Sequence, residues 1–208
     1  SQVGRVLDAL EKSPQADNTI VVLWSDHGYH LGEKAISGKN SLWARSTRVP
    51  LLMAGPNVPM DAQCSQPAEL MDLYPTLAEY AELPAPQGVE GLSLMPQIRD
   101  PSTPRRRPAI CTHNAGNHSV CDTRWRFVRY ADGSEELYDR SIDPNEYTNL
   151  LAAGRDRSSV QTVVDDLSRW LPEKEMPLAP DSAARILEKR ADGFYWQGKK
   201  IVPSDKME

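Results

Sequence analysis

Two continuous apolar segments, separated by a long loop that carries glycines and charges, constrain the fold of this chain most strongly. The segment TIVVLW (19–24) is rich in β-branched residues, and VPLLMAG (49–55) repeats the pattern with Pro50 near its start. A continuous apolar run is typical of a strand that is buried on both faces of a parallel sheet. The sequence therefore predicts two such strands, joined by a loop (25–48) that is too long for an ordinary connection and suggests a functional site.

Helices are predicted on both sides of these strands. Apolar residues recur at helical spacing over 2–12, and again in QPAELMDLYPTLAEYAELP (66–84), where Pro75 interrupts the pattern. The order helix, strand, loop, strand, helix indicates α/β architecture, in which ligands gather beyond the carboxyl ends of strands. Trp24, at the end of the first apolar segment, is expected in the core.

The pattern changes from about residue 84, where a Pro-rich connection precedes short alternating segments. Three of these segments are predicted strands: AICTHN, TRWRFVRY and EELYD. The turn signal Asp132-Gly133 predicts a hairpin between the last two. A helix is predicted over 158–171, capped by Ser158 or Ser159 and closed by the following proline. Together these features predict a small antiparallel subdomain.

Composition excludes some classes of partner. A net charge of −5 and a pI near 5.5 give no overall basic field, so no nucleic-acid partner is expected. The dense basic run 105–107 lies among prolines and is predicted to be a solvated loop. No apolar window approaches the roughly 20 residues of a membrane span, so no membrane partner is expected. Cys111 and Cys121 could face each other across a hairpin, and free thiols are an equal alternative.

Asp26 and His27 stand where the first predicted strand ends, and Lys39 follows in the same loop. A carboxylate and an imidazole at a strand end can be metal ligands, an acid–base pair, or an ordinary turn capped by aspartate. A carboxylate suits a hard cation such as Ca²⁺, and a lysine supplies a mobile point charge for an anionic oxygen.

Several separate blocks resemble sulfatases of the alkaline phosphatase superfamily, especially iduronate-2-sulfatase-like members. The blocks, in order, are SDHGYHLGEK, LWARSTRVPLLMAGP, QPAELMDLYPTLAEYAELP, VEGLSLMPQI and GSEELYDRSIDPNEYTNLL. The resemblance covers about residues 3–152. It implies an alkaline-phosphatase-like sandwich with a mostly parallel sheet flanked by helices. Residues 1–83 would be the last portion of that large domain, and 84–208 would be the antiparallel-sheet subdomain with its packed helices and tail.

The resemblance also implies roles for individual residues. Asp26 and His27 match a pair that helps to bind an active-site Ca²⁺, and Lys39 matches a lysine that contacts the sulfate. His27 is a less natural Ca²⁺ ligand, so a bond to the sulfate or to the nucleophile stays open for it. His30 and His118 are further candidates for substrate binding, with a structural role as the alternative; the loop THNAGNHSV is similar to one near the substrate entrance.

Sulfatases of this type use a formylglycine made from the Cys or Ser of a C/S-x-P-x-R motif. STPRR (102–106) fits that motif literally, but it follows the Asp-His pair and lies in a Pro-rich loop without a following helix. We therefore expect this chain to be the C-terminal part of a sulfatase and to be inactive alone. The formylglycine and further Ca²⁺ ligands would lie on the N-terminal part.

The resemblance implies a sulfated carbohydrate or another sulfate ester as substrate, and a periplasmic, secreted or lysosomal compartment. Two alternatives remain. One is a phosphoryl or phosphonate hydrolase of the same superfamily, and the other is a non-catalytic remnant that retains sulfate binding.

Overall fold

The computed structural model describes residues 1–84, 87–173, 187–196 and 199–200. The first helix, α1, spans Gln2–Glu11, which confirms the helix predicted over 2–12. The hydroxyl of Ser1 accepts the backbone N–H of Gly4 at 3.1 Å, so α1 begins with a side-chain cap. No residue of α1 is buried, and Val3, Val6 and Leu7 are exposed on it.

The two apolar segments form strands with the long loop between them. In chain order the elements are β1 (Val21–Trp24), β2 (His30–Leu31), β3 (Ser37–Gly38), α2 (Ala44–Thr47) and β4 (Leu51–Ala54). Strands β2 and β3 pair as a short antiparallel hairpin inside the loop.

Strands β1 and β4 pair with each other in antiparallel register, with Trp24 opposite Leu51. The parallel pairing expected from their apolar character is wrong for these two strands, and so is the core position expected for Trp24, which is 50% exposed. The apolar run indicates strands with apolar groups on both faces but does not set the direction of pairing. The loop returns β4 beside β1 without the crossover helix that parallel neighbours need.

A 3₁₀ turn at Leu70–Asp72 leads into α3 (Leu73–Tyr80), and α4 (Met95–Arg99) follows. Pro75 lies in the first turn of α3, where a missing N–H costs no helical hydrogen bond, so the helix begins just before the proline and continues through it. Asp72 is fully buried, and its carboxylate accepts the backbone N–H of Leu92 at 2.8 Å.

The prediction of a solvated loop for 105–107 holds for Arg106, which is exposed, and is wrong for Arg105 and Arg107. The side chains of Arg105 and Arg107 are 3% and 20% exposed, and both bond to the carboxylate of Glu69 at 2.9 and 2.8 Å. Arg105 also pairs with Asp72. The carboxylates precede the arginines by more than 30 residues, so local composition could not reveal them.

Four antiparallel strands form the main sheet: β5 (Ala109–Thr112), β6 (His118–Cys121), β7 (Trp125–Arg129) and β8 (Glu135–Asp139), in that spatial order. The predicted hairpin between the last two is confirmed, and Gly133 takes φ +84° in its turn. Strand β6 was not predicted, because most of its sequence, HSVC, lies at the end of THNAGNHSV, which was interpreted as a loop. Cys111 lies opposite Ser119, so it does not face Cys121, and both thiols are free.

Helix α5 (Gln161–Ser168) packs on this sheet and completes a core. The buried core residues are Val120, Phe127, Leu137, Val164 and Leu167. The helix predicted over 158–171 exists in shorter form, after a 3₁₀ turn at Arg157–Val160. Its cap was assigned wrongly: the carboxylate of Asp156 accepts the N–H of Ser158 at 2.9 Å.

Three further strands, β9 (Leu187–Arg190), β10 (Gly193–Trp196) and β11 (Lys199–Lys200), form a separate antiparallel sheet. Mixed helices and strands with small antiparallel sheets agree with the expected fold class. The division of the chain at residue 83 stays a prediction. Within the described part of the chain, no helix is long and apolar enough to cross a membrane.

Candidate functional site

Asp26, His27 and Lys39 lie together just beyond the end of β1. The Nζ atom of Lys39 lies 2.7 Å from Nε2 of His27, and a carboxylate oxygen of Asp26 lies 3.6 Å from the same nitrogen. Nδ1 of His27 lies 2.8 Å from the carbonyl oxygen of Gly28. Because a carbonyl only accepts, Nδ1 carries the proton, and Nε2 is left to accept a hydrogen bond from the lysine ammonium.

Gly28 lets the loop lie directly against α2. Its N–H donates to the carbonyl of Ser46 at 2.8 Å, and a Cβ at this position would lie 2.0 Å from the carbonyl oxygen of Arg45. No real side chain fits that distance, so the tight approach requires glycine. The hydroxyl of Ser25 donates to the carbonyl of His27 at 2.8 Å, which further fixes the backbone of the pair.

His30 lies inside the loop rather than on its surface. It is 1% exposed, and Nε2 lies 3.0 Å from the hydroxyl of Ser41, which in turn lies 2.8 Å from the hydroxyl of Ser46. Nδ1 lies 3.3 Å from the carbonyl of Glu33. Both ring nitrogens therefore have protein partners, and this geometry favours a structural role. Substrate binding by His30 stays a prediction.

Lys34 lies at the tip of the loop and contacts the main sheet. Its Nζ lies 4.1 Å from the ring centroid of Trp43 and 4.5 Å from that of Tyr138, and it donates to the Tyr138 hydroxyl at 3.1 Å. Desolvation lowers the pKa of Lys34, and the carboxylate of Glu136 opposes that shift. The indole N–H of Trp43 donates to Glu136 at 2.7 Å. Lys34 therefore joins the loop to β8, while Lys39 is exposed.

A buried ion pair fixes the segment that follows Lys39. Glu146 is fully buried, and it accepts from Nε of Arg126 at 2.6 Å and from the backbone N–H of Ala44 at 2.8 Å. The guanidinium of Arg126 donates to the carbonyl of Leu42 at 3.1 Å. Arg126 of β7 and Glu146, which follows β8, therefore bond to the backbone on the two sides of Trp43. Sequence patterns did not indicate these two residues, because their partners lie about 100 positions away.

His118 lies elsewhere, in strand β6 of the main sheet. It is 4% exposed, and its Nδ1 lies 2.8 Å from the hydroxyl of Thr112 on the neighbouring strand. A role in substrate binding stays a prediction for His118.

Calcium fits this site only in part. Asp26 offers a carboxylate whose side chain is 81% exposed, whereas Nε2 of His27 faces an ammonium group. Among the residues that the structure describes, no group of three or more His, Cys, Asp or Glu side chains could hold a metal ion. Since Ca²⁺ takes 6–8 oxygen ligands, any complete Ca²⁺ site would need oxygens from outside this cluster.

Comparison with known proteins identifies relatives that match a large part of this chain. The family model described as Sulfatase matches residues 1–83. A protein named Sulfatase from Formosa agariphila is 45% identical over 148 residues, which are 71% of this chain and 29% of that protein. The chain thus spans less than a third of this relative.

Solved structures share the fold. A 2-O GAG sulfatase matches with a TM-score of 0.69 and 26% identity, over 81% of this chain and 38% of that one. A phosphonate monoester hydrolase from Silicibacter pomeroyi matches with a TM-score of 0.68 and 21% identity, over 96% of this chain and 42% of that one. At 21% identity the likeness shows the fold alone. The sulfatase neighbour confirms the expected fold class.

Proposed function

This chain belongs to the sulfatase family, and we propose that it forms part of a sulfuric ester hydrolase acting on sulfated sugars. The observation that carries the proposal is the Asp26–His27–Lys39 cluster beyond β1, which combines an oxygen ligand for a hard cation with a cation for a sulfate. The nucleophile, a formylglycine by family resemblance, would lie on the N-terminal part of the enzyme, so the chain alone would be inactive.

Lys39 would bind the sulfate through the donors that His27 leaves available. An ammonium group has three N–H donors, and one of them points at Nε2 of His27. The remaining two can reach oxygens of a sulfate group, where they would neutralise charge in the ground state and on the leaving oxygen. His27 would thereby orient the lysine, because its own Nδ1–H is fixed by the Gly28 carbonyl.

Asp26 would hold Ca²⁺ together with oxygen ligands from outside the chain, and the metal would supply charge neutralisation for the sulfate. Metal ligation by His27 is part of the sequence prediction; it would require Lys39 to move away from Nε2. Loss of Ca²⁺ affinity in Asp26→Asn, with affinity retained in His27→Gln, would assign the metal to the carboxylate.

Exposed apolar side chains support the proposal that an N-terminal part completes the fold. On the β1–β4 pair, Leu23 and Leu52 lie opposite each other on one face and are 40% and 58% exposed. Soluble proteins rarely leave neighbouring large apolar groups uncovered, so this face fits a further sheet or helix layer. A compartment outside the cytosol is part of the same proposal and follows from family membership alone.

A chimera tests the activity. The region of the Formosa agariphila relative that matches this chain is replaced by this chain's own residues, and hydrolysis of sulfated glycosaminoglycan disaccharides is measured with and without Ca²⁺. We expect Ca²⁺-dependent sulfate release that Lys39→Gln lowers by roughly 100-fold, since it removes one preorganised charge. Unchanged activity in Lys39→Gln would contradict the assigned role.

One alternative is a phosphoryl or phosphonate hydrolase of the same superfamily. A phosphonate monoester hydrolase shares the fold of this chain, so this alternative can be tested with defined substrates. The same chimera and the unmodified relative are therefore also assayed on phenyl phosphonate and phosphate monoesters. Faster turnover of those esters than of sulfates in the chimera would favour that alternative. Tight binding of sulfated sugar without hydrolysis of any ester would instead favour the non-catalytic remnant.

A further inference from the structure

A second group of polar side chains surrounds a cavity of about 210 Å³, formed by three segments distant in sequence. The arginines 105–107 form one wall, Gln66 lies on the second segment, and Asp122 and Thr123 lie on the third. None of Asp26, His27 and Lys39 lines it, so it is separate from the site proposed above.

Two of the arginines that line this cavity each carry a buried donor without a hydrogen-bond acceptor. Within the described ranges, three buried side-chain nitrogen or oxygen atoms lack a partner, and two of them are the Nε atoms of Arg105 and Arg107. The side chain of Arg105 is only 3% exposed, so bulk water does not satisfy this nitrogen. Buried donors without acceptors are rare in native proteins, and a bound water or ion is a usual explanation.

Arg106 adds a charge that pairs with no residue in the described part of the chain. Glu69 and Asp72 balance the charges of Arg105 and Arg107, whereas Arg106 makes no hydrogen bond or ion pair with any residue that the structure describes. The side-chain amide of Gln66 and the hydroxyl of Thr123 likewise have no acceptor there; only the Gln66 oxygen is engaged, by the N–H of Arg105 at 3.0 Å. The wall therefore presents a guanidinium, an amide and a hydroxyl donor.

Asp122 is the one acidic side chain on the wall. Its Oδ1 accepts the backbone N–H groups of Arg124 and Trp125 at 2.7 and 2.5 Å, so the carboxylate is fixed in the turn before β7. Its negative charge weakens the positive potential of the cavity without supplying any donor.

We propose that this cavity is a binding site for an oxyanion of the sulfate or phosphate class, either free or as an ester group on a sugar. A planar guanidinium donates to two oxygens of such a group at once, and the amide and hydroxyl match further oxygens. The cavity volume exceeds that of one such group, so a sugar ester can enter as well as the free ion. This inference does not depend on the proposed sulfatase activity.

The test uses the whole chain, ¹⁵N-labelled, titrated with sodium sulfate at constant ionic strength set with sodium chloride. We expect saturable shifts of the Gln66 side-chain amide and the Thr123 backbone amide. Arg106→Gln should weaken binding by about tenfold, because it removes a charged bidentate donor from an exposed position that does not hold the fold together. Asp122→Asn keeps Oδ1 as an acceptor and removes the charge, so it should bind severalfold more tightly.

Two control variants separate this site from other effects. Arg5→Gln removes the same charge from exposed α1 and should leave the shifts unchanged. Lys39→Gln removes the cation of the other candidate site and should also leave them unchanged. Titrations with glucosamine 6-sulfate and with unsulfated glucosamine then show whether the ligand is a sulfate ester or the free ion. Binding of the sulfated sugar but not of inorganic sulfate identifies an ester group, and binding of inorganic sulfate as tightly as the sulfated sugar identifies the free ion.

Three results would overturn the proposal. The first is absence of saturable shifts up to roughly 100 mM sulfate, a range that covers even weak binding. The second is equal affinity in the wild type and Arg106→Gln. The third is an equal response to unsulfated glucosamine. Any of them would leave water as the partner of the orphaned arginine nitrogens.

Discussion

Removing the carboxylate of Glu146 should destabilise the chain more than removing any exposed acidic group. In Glu146→Ala, Arg126 keeps a charge in a site where its side chain is only 5% exposed, and the N–H of Ala44 loses its acceptor. Breaking a buried ion pair from one side costs about 3–5 kcal/mol. The cost of leaving the Ala44 N–H without an acceptor is not fully additive to that figure, because both groups bond to the same carboxylate.

That loss is large beside the total stability of a domain, which is about 5–15 kcal/mol. With a urea m-value of about 2 kcal/mol/M, the unfolding midpoint should fall by about 2 M. Circular dichroism during urea titration measures the midpoint from secondary structure, and the fluorescence of the five tryptophans, Trp43 among them, measures it from tertiary contacts in the same samples. We expect both signals to shift together.

Glu135→Ala is the matched control, since Glu135 pairs with Arg129 and Arg157, whose side chains are 39% and 47% exposed. Partly exposed pairs contribute about 0–1 kcal/mol, so this variant should change the midpoint little. The double variant Arg126→Met, Glu146→Leu should be more stable than Glu146→Ala, because no unpaired charge remains. A loss in Glu146→Ala no larger than in Glu135→Ala would refute the reasoning.

Three further predictions concern pH, the loop and its lysines. The guanidinium of Arg124 lowers the pKa of Asp139 from 3.8 to about 2. The stability that this pair provides is therefore complete above pH 3.8 and is lost as the pH falls towards 2. In Asp139→Asn, the free energy of unfolding should change less with pH in that window. Gly28→Ala should lower the free energy of unfolding by about 1–3 kcal/mol, because its Cβ clashes with a backbone carbonyl. Gly4→Ala should instead stabilise α1, because its Cβ would lie 3.4 Å from the nearest atom. Urea unfolding of both variants measures the two changes. Lys34→Met should lower the melting temperature by a few degrees, corresponding to about 1 kcal/mol, while Lys39→Met should not; equal melting temperatures would contradict the separation of their roles.

Local sequence patterns predicted the elements that are determined by residues close together in the chain. Helix α1 shows helical periodicity over its whole length, and the β7–β8 hairpin has its own Asp132-Gly133 turn, so both were predicted at nearly their observed bounds. The Asp26–His27 turn was recognisable because an apolar segment that forms a strand ends directly before it. The short distance between Lys39 and His27 depends on how the loop folds back towards β1, and the number of residues between them does not determine that path.

Two of the misses depend on partners far away in sequence. The direction of β1 against β4 and the burial of Arg105 each result from contacts with residues that composition windows do not include. The helix cap failed for a smaller reason. Asp156 and the two serines after it can all cap a helix, and only the backbone geometry distinguishes them.

The hydrogen bonds from Arg126 and Glu146 to the backbone around Trp43 make the loop and the main sheet one cooperative unit. The amide proton of Ala44 should then exchange with solvent only when the sheet opens, at a rate like that of the β7 amides rather than that of a surface loop. A substitution deep in the sheet, for example at Phe127, would accordingly also loosen the loop that carries Lys39, although Phe127 lies in the core between the sheet and α5.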